Sequence, residues 1–349
     1  MKQVRELQTQ PSKAARRRAL VEAYRTELGQ AYKGDGLAML NHCRAGTVQL
    51  VLTSPPFALT RKKRYGNKAS EEYVEWFLPY ARAVHRVLRE GGSFVLDLGG
   101  SWEPGRPIKN VYQYELLLAL LKDKRAPFLL AQEFYWLNRA RLPGPIEWVN
   151  IKRIRVTDAV NVVWWLSKTA APYADNRQVL RPYSRSMLRL FENGYNAGPR
   201  PSEWHIGDTS FSRNNGGSIP SNYLGADGDT DLGYPTNLLA GSNTGSQDEY
   251  LKACRRLHLR PNPARFPLEF AEFFAKFLTK KGDLVADPFA GSNTTGWAAE
   301  RLGRRWRSSD IEGDFVAGSA ARFALDPAKA LQKVRPHPLP RERRRALTM

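Results

Sequence analysis

Thr53-Ser54-Pro55-Pro56-Phe57 sets a hydroxyl, two backbone-fixing rings and an aromatic face in consecutive positions, directly after the apolar run Val48-Gln49-Leu50-Val51-Leu52. The run reads as a strand. The prolines end its sheet pairing, because neither has an N–H to donate and each holds φ near −65°. The product is a stiff ledge at a strand's carboxyl end. Such a ledge suits a planar heterocycle bearing an amino group: Ser54 Oγ and a proline-flanked carbonyl accept its N–H protons while Phe57 stacks on the ring. An ordinary strand exit with a buried Phe contains the same residue types, so a second motif has to decide.

That motif runs from Gly282 to Glu300 as strand, tight turn and helix, with Asp287-Pro288-Phe289-Ala290-Gly291-Ser292-Asn293-Thr294 at its centre. Small residues let a backbone approach a ligand closely, and open α/β sheets bind cofactors at strand carboxyl ends. No Lys follows in the manner of a phosphate loop. Nineteen residues beyond Gly291, Asp310 ends the strand-like Trp306-Arg307-Ser308-Ser309, where an acid can bond ribose hydroxyls. Turn and acid together indicate a nucleoside cofactor.

The elements that must position these groups follow from periodicity. Leu20, Tyr24 and Leu28 lie four apart, so Ala14–Leu28 is expected to be a helix, preceded by Arg16, Arg17 and Arg18. Gly34-Asp35-Gly36 reads as a turn into a short helix. Tyr73, Phe77, Tyr80, Ala81, Val84 and Leu88 recur at three and four, an amphipathic helix expected to end at Gly91-Gly92. Ser93–Leu98 is a buried strand with Asp97 near its exit, Val111–Lys122 a helix, and Gln132–Asn138 and Val160–Leu166 are strands. Alternation of strand and helix implies a largely parallel sheet. From Thr169 to about Tyr250 the composition turns to Asn, Ser, Gly, Asp and Arg, and Trp204, Phe211, Tyr223, Tyr234 and Leu238-Leu239 are expected to dock this loop-rich insert. Gly241–Gly245 imitates the cofactor turn but has no strand before it.

At 349 residues and a net charge of +20, the chain can bury a full core and calls for a polyanionic partner, most simply nucleic acid. The basic run between Leu59 and Lys68, beside the ledge, is expected to meet DNA phosphates. No apolar run suffices for a membrane span, and no secretory signal is visible. Cys43 and Cys254 are too few for a disulfide framework or a Cys-based metal site, which fits a reducing cytoplasm.

Residues 287–295 and 53–59 resemble the cofactor and catalytic motifs of the amino-group DNA methyltransferases, most closely the bacterial N4-cytosine enzymes of restriction-modification systems. Catalytic motif before cofactor motif is similar to the β-group, whose fold is circularly permuted. Asn138–Trp148, Pro235–Leu239 and Pro263–Pro267 also look like family segments, with Asn262 where His is expected and Asp310 where many members carry Glu. The resemblance implies a Rossmann-like, permuted α/β fold that binds S-adenosylmethionine. Phe289, Ala290, Gly291, Ser292, Asn293 and Thr294 would surround its methionine end, Asp287 and Pro288 would belong to the same cofactor site, Asp310 would take its ribose and Asp35 its adenine amine. It divides the chain into a basic helical extension (1–30), a catalytic half (31–170), a target-recognition region (171–250), a cofactor half (251–325) and a basic tail (326–349).

The implied reaction transfers the sulfonium methyl to N4 of a cytosine flipped out of double-stranded DNA, with Phe57 stacked on the base. Acceptors at Ser54 and Pro55 favour a tetrahedral nitrogen, whose lone pair is otherwise delocalised into the ring. Asp97 is expected as a second acceptor or proton relay for Ser54, or else as a structural cap. Methylation at carbon 5 would need a thiol, and neither cysteine has a suitable setting. Adenine N6 methylation poses the same amine problem on the same fold, and Ser54 in place of Asp or Asn tilts the comparison to cytosine. An inactive DNA-binding relative and an RNA substrate are further alternatives. Pairing with a restriction endonuclease would follow from the family.

Overall fold

The computed structural model describes residues 20–58, 68–137, 145–207, 212–224, 248–265 and 267–335. The arginine triplet at 16–18, the basic loop from Leu59 through Asn67, Arg139 and Arg141, Phe211, Tyr234, Leu238-Leu239, the 241–245 imitation and the end of the tail lie outside them.

In chain order the described elements begin with β1 (Val21–Arg25), β2 (Gly29–Lys33), α1 (Gly36–His42), β3 (Val48–Thr53), α2 (Ser70–Val87) and β4 (Leu88–Leu98). A small hairpin, β5 (Ser101–Trp102) and β6 (Lys109–Asn110), precedes α3 (Tyr112–Lys122), β7 (Leu129–Leu137) and β8 (Val160–Ser167). The insert contributes α4 (Arg185–Asn193), the hairpin β9 (Gly198–Pro199) and β10 (His205–Ile206), and β11 (Tyr223–Leu224). The remainder is α5 (Glu249–Arg256), α6 (Leu268–Leu278), β12 (Leu284–Asp287), α7 (Thr294–Arg301), β13 (Arg305–Asp310), α8 (Gly313–Ser319) and α9 (Pro327–Val334).

One nine-stranded sheet runs β1-β2-β13-β12-β3-β4-β8-β7-β11. Its centre, β2 through β4, is parallel, whereas β8 runs antiparallel to both β4 and β7 and β1 closes the far edge antiparallel to β2. Alternate residues of each strand enter opposite cores. Leu50, Leu52, Val95 and Trp165 join Phe270, Phe274 and Leu331 on one side, while Val51, Phe94, Leu96 and Trp164 join Met39, Phe77 and Leu116 on the other. Strands buried on both faces read as near-continuous apolar runs, which is why β3, β4 and β8 stand out in the sequence.

Four expectations need correction. Of the stretch expected to be helical, the described residues 20–28 form β1 and a turn, in which Thr26 Oγ1 accepts from the Gly29 N–H at 2.9 Å. The amphipathic helix ends at Val87, not at the glycines, because Leu88 already pairs with Val48 and Gly91-Gly92 lie inside β4. The tail from residue 326 begins with α9, capped by Asp326 and burying Ala330, Leu331 and Val334. In the insert, Trp204 is 71% exposed and does not dock.

Candidate active site

Four neighbouring strands, β2, β13, β12 and β3, present their carboxyl ends side by side. Asp35 follows the first, Asp310 ends the second, the 287–294 turn leaves the third and the ledge leaves the fourth. Groups far apart in the chain thus meet at the sheet end where α/β enzymes bind ligands.

At the ledge, Ser54 Oγ donates to Asp97 Oδ2 at 2.9 Å. Register pairing of Thr53 with Leu96 brings the two side chains abreast. Asp97 is 2% exposed, and its Oδ1 accepts from Asn161 Nδ2 of β8 at 3.3 Å. With its proton directed to the carboxylate, the Ser54 hydroxyl keeps lone pairs for an incoming N–H. Tyr73 hydroxyl donates to the Pro56 carbonyl at 2.9 Å and fixes the second proline. The Phe57 ring rests on Gly99: a Cβ there would lie 2.4 Å from Phe57 Cε2.

Thr53, one residue before, ties the ledge to the cofactor turn. Its Oγ1 donates to Asp287 Oδ1 at 2.7 Å, Thr295 Oγ1 donates to Oδ2 at 2.7 Å, and the Phe289 N–H adds a third bond at 3.0 Å. Burial, only partly offset by these donors, pushes the Asp287 carboxyl up to about 6. Asp287 is therefore a brace whose oxygens are committed to the protein. Asn293 is another: in a left-handed conformation it caps α7 and donates Nδ2 to Tyr24 hydroxyl at 2.9 Å. Pro288, Gly291, Ser292 and Thr294 are also buried, so Phe289 and Ala290 are the turn residues that stay partly open.

Phe289 packs on Tyr80, ring centroids 5.0 Å apart, and on Trp76 at 5.9 Å. Asp35 accepts on Oδ1 from the Leu37 N–H, capping α1, and from Tyr80 hydroxyl at 2.8 Å. Burial first, and then the Asp35 carboxylate, raise the Tyr80 hydroxyl well above its usual range, so it remains a donor. Gly36 lets α1 reach the turn, since a Cβ there would sit 2.3 Å from the Pro288 carbonyl oxygen. Asp310 receives the Gly291 N–H on Oδ2 at 2.9 Å and the Glu312 N–H on Oδ1 at 2.8 Å, and loss of hydration carries its carboxyl up to about 6. A carboxylate has about four acceptor positions. Asp310 thus has capacity left for hydroxyl donors, and the residues fit a nucleoside cofactor.

Sequence reasoning missed Tyr80, Asn161 and Arg322. Tyr80 was hidden in the apolar face of α2, and Asn161 was visible only as a lone amide in an apolar strand. Arg322, its side chain 5% exposed, donates Nε to the Ser292 carbonyl at 2.9 Å and pairs with Asp248 at 2.8 Å beneath the turn. Nothing in its surroundings in the sequence marks it.

A parallel-centred sheet that sets the 287–294 turn beside the 53–57 ledge at its carboxyl end has a Rossmann-like, permuted α/β arrangement. Residues 48–321 match the DNA methylase family, and the chain belongs to it. It is 46% identical over 304 residues to the type II methyltransferase M.PvuII of Proteus hauseri, covering 86% of this chain and 85% of that protein. To the type II methyltransferase M.ScaI of Streptomyces caespitosus it is 25% identical, covering 87% and 84%. The solved PvuII DNA methyltransferase (cytosine-N4-specific) superposes with a TM-score of 0.68 at 37% identity, over 94% of this chain and 95% of that one. A Thermus thermophilus chain complexed with S-adenosyl-L-methionine shares the fold, with a TM-score of 0.50 at 18% identity over 84% and 91%.

Proposed function

We propose that this chain methylates the exocyclic N4 of a flipped-out cytosine in double-stranded DNA, with S-adenosyl-L-methionine as methyl donor. The observation that carries this reading is the Ser54–Asp97 hydrogen bond at the end of β3, adjacent to the cofactor turn. When bound, the cofactor supplies an electrophilic methyl group. Its ribose hydroxyls would be held by Asp310, its adenine end by the Asp35 side of the sheet and its methionine end by the backbone around Phe289 and Ala290.

The protein's own part is positioning and proton handling. Ser54 Oγ accepts one amine proton, its own proton being held toward Asp97, and the proline-flanked carbonyl accepts the second. Two acceptors pull nitrogen toward a tetrahedral geometry, which frees its lone pair from the ring. Phe57 stacks on the base, and fixed orientation contributes much of the rate. Asp97, anchored by Asn161, is the group to which the released proton can pass through Ser54.

Similarity to a cytosine-N4-specific enzyme supports cytosine as the target. Residues 171–250 are inferred to read the DNA sequence, and the type II relatives support pairing with a restriction endonuclease. Among the described residues no helix is long and apolar enough to cross a membrane, and a cytoplasmic site of action fits a DNA substrate. Incubating DNA with labelled S-adenosyl-L-methionine, digesting it and identifying the nucleoside tests the reading. N4-methyldeoxycytidine is expected; N6-methyldeoxyadenosine or unlabelled DNA overturns it.

A further inference from the structure

Between β7 and β8, Ile151-Lys152-Arg153-Ile154-Arg155-Val156 interleaves apolar and basic side chains at the surface. Ile151 is 71% exposed, Ile154 57% and Val156 85%. Apolar groups this open, in a row and interleaved with cations, have no role in either core.

The segment is anchored. Arg155 donates to the Pro107 carbonyl at 2.6 Å and stacks 4.4 Å from the Trp102 ring centroid, joining it to the β5–β6 hairpin that leaves β4 just after Asp97. Lys152 pairs with Glu147 at 3.0 Å and lies over Trp148, and the Ile154 N–H donates to the Trp148 carbonyl at 3.0 Å. Arg153 adopts the left-handed conformation, φ 54°, uncommon for a residue with a side chain. Five positions beyond Val156 stands Asn161, which binds the Asp97 carboxylate. Extended chain spans at most about 3.6 Å per residue, so Val156 lies within about 18 Å of Asn161.

We propose that this strap engages the duplex at the target: Lys152 and Arg153 meet phosphates, and Ile154 and Val156 press into the stack to hold the place the flipped base vacates. Apolar wedges beside basic residues are what DNA-deforming proteins insert between base steps. The interleaved charge decides the occupant. A second copy docking symmetrically would set these cations against themselves, whereas a duplex offers phosphates and base faces together.

The proposal rests on the DNA methylation reading, and the test separates the two. Methylation by the full chain and by an Ile154→Ser, Val156→Ser variant is timed on a matched duplex and on one whose target cytosine faces an abasic site. A wedge is needed only where the base must be forced out, so the variant should be roughly tenfold slower on the matched duplex and within about twofold of the parent on the unpaired one. Equal slowing on both, no slowing, or a change in sedimentation revealing a lost dimer contact overturns the wedge while leaving the activity standing. Absence of product from the parent on both duplexes sinks the activity reading and the wedge with it. Lys152→Ala with Arg153→Ala should flatten the dependence of log affinity on log salt by about 0.9 per phosphate contact removed, and an unchanged slope contradicts the phosphate role.

Discussion

Thr53 and Asp287, 234 positions apart in the chain, share a buried hydrogen bond of 2.7 Å that ties the 53–57 ledge to the 287–294 turn. Their strands β3 and β12 are sheet neighbours, and Thr295 holds the other carboxylate oxygen. The ledge and the turn are therefore joined both through the sheet and through the Asp287 side chain. Thr53→Val removes the donor and leaves a buried acceptor short, which should cost about 1–3 kcal/mol. Thr53→Ser should restore most of it. Denaturant unfolding measures both, and a Thr53→Val variant as stable as the parent would mean that the brace is dispensable.

Asp310 gives a pH dependence. Its carboxyl, lifted to about 6 by lost hydration, is ionised above that pH and protonated below it. Ribose hydroxyls bond a carboxylate more strongly, about 1.5–3 kcal/mol against about 0.5–1.5 for a neutral acceptor. Cofactor affinity should therefore hold above about pH 6 and weaken as pH falls through that value. Calorimetric titration between about pH 5 and 8 checks it, and Asp310→Asn should bind more weakly and show a smaller pH step, leaving only the share from Asp287, whose carboxyl is also raised to about 6. A parent affinity that rises on acidification runs against the assignment.

Arg322 is a positioning residue for the turn. Arg322→Met removes its bond to the Ser292 carbonyl and its pairing with Asp248, which retains Arg265 at 3.4 Å. The expected result is a higher KM for the cofactor with kcat reduced far less, together with a stability loss of about 1–3 kcal/mol. A variant that loses stability while keeping the parent KM would confine Arg322 to a structural role.

Gly99→Ala tests the seat of the Phe57 ring. The added methyl would lie 2.4 Å from Cε2, so the ring must move. Base–aromatic stacking is worth roughly 1–3 kcal/mol, so the variant should hold a flipped base less well. A fluorescent base analogue at the target should then brighten less on binding than it does with the parent. Equal brightening would place Phe57 outside the base-holding role.

How much of this was legible in the sequence depended on whether chemistry or geometry carried the signal. The ledge, the turn and Asp310 could be read because proline, glycine and a spaced acid are rare combinations with local causes. The Ser54–Asp97 pairing was half legible, since β4 was recognised but its register against β3 was not. Residues 14–28 were read as a helix because Leu20, Tyr24 and Leu28 fit a helical period, although Tyr24 is buried in a strand and bonds Ser319 and Asn293. That Asn293 is a left-handed cap whose side chain faces Tyr24 is not marked by any sequence pattern. Gly91-Gly92 looked like a helix stop because glycine commonly ends helices, yet here the sheet carries β4 straight through them.

Ser54→Ala on the cytosine N4 reaction is the most direct test of the ledge as the chemical site. In the proposed mechanism Ser54 accepts the amine proton mainly as nitrogen becomes tetrahedral, which assigns its contribution to the transition state. Its removal should lower the single-turnover methylation rate by roughly 10²–10⁴, the range typical of a positioned proton acceptor, while affinities for DNA and S-adenosyl-L-methionine stay near those of the parent. A Ser54→Ala chain that methylates at the parent rate would make the ledge a structural feature and contradict the mechanism.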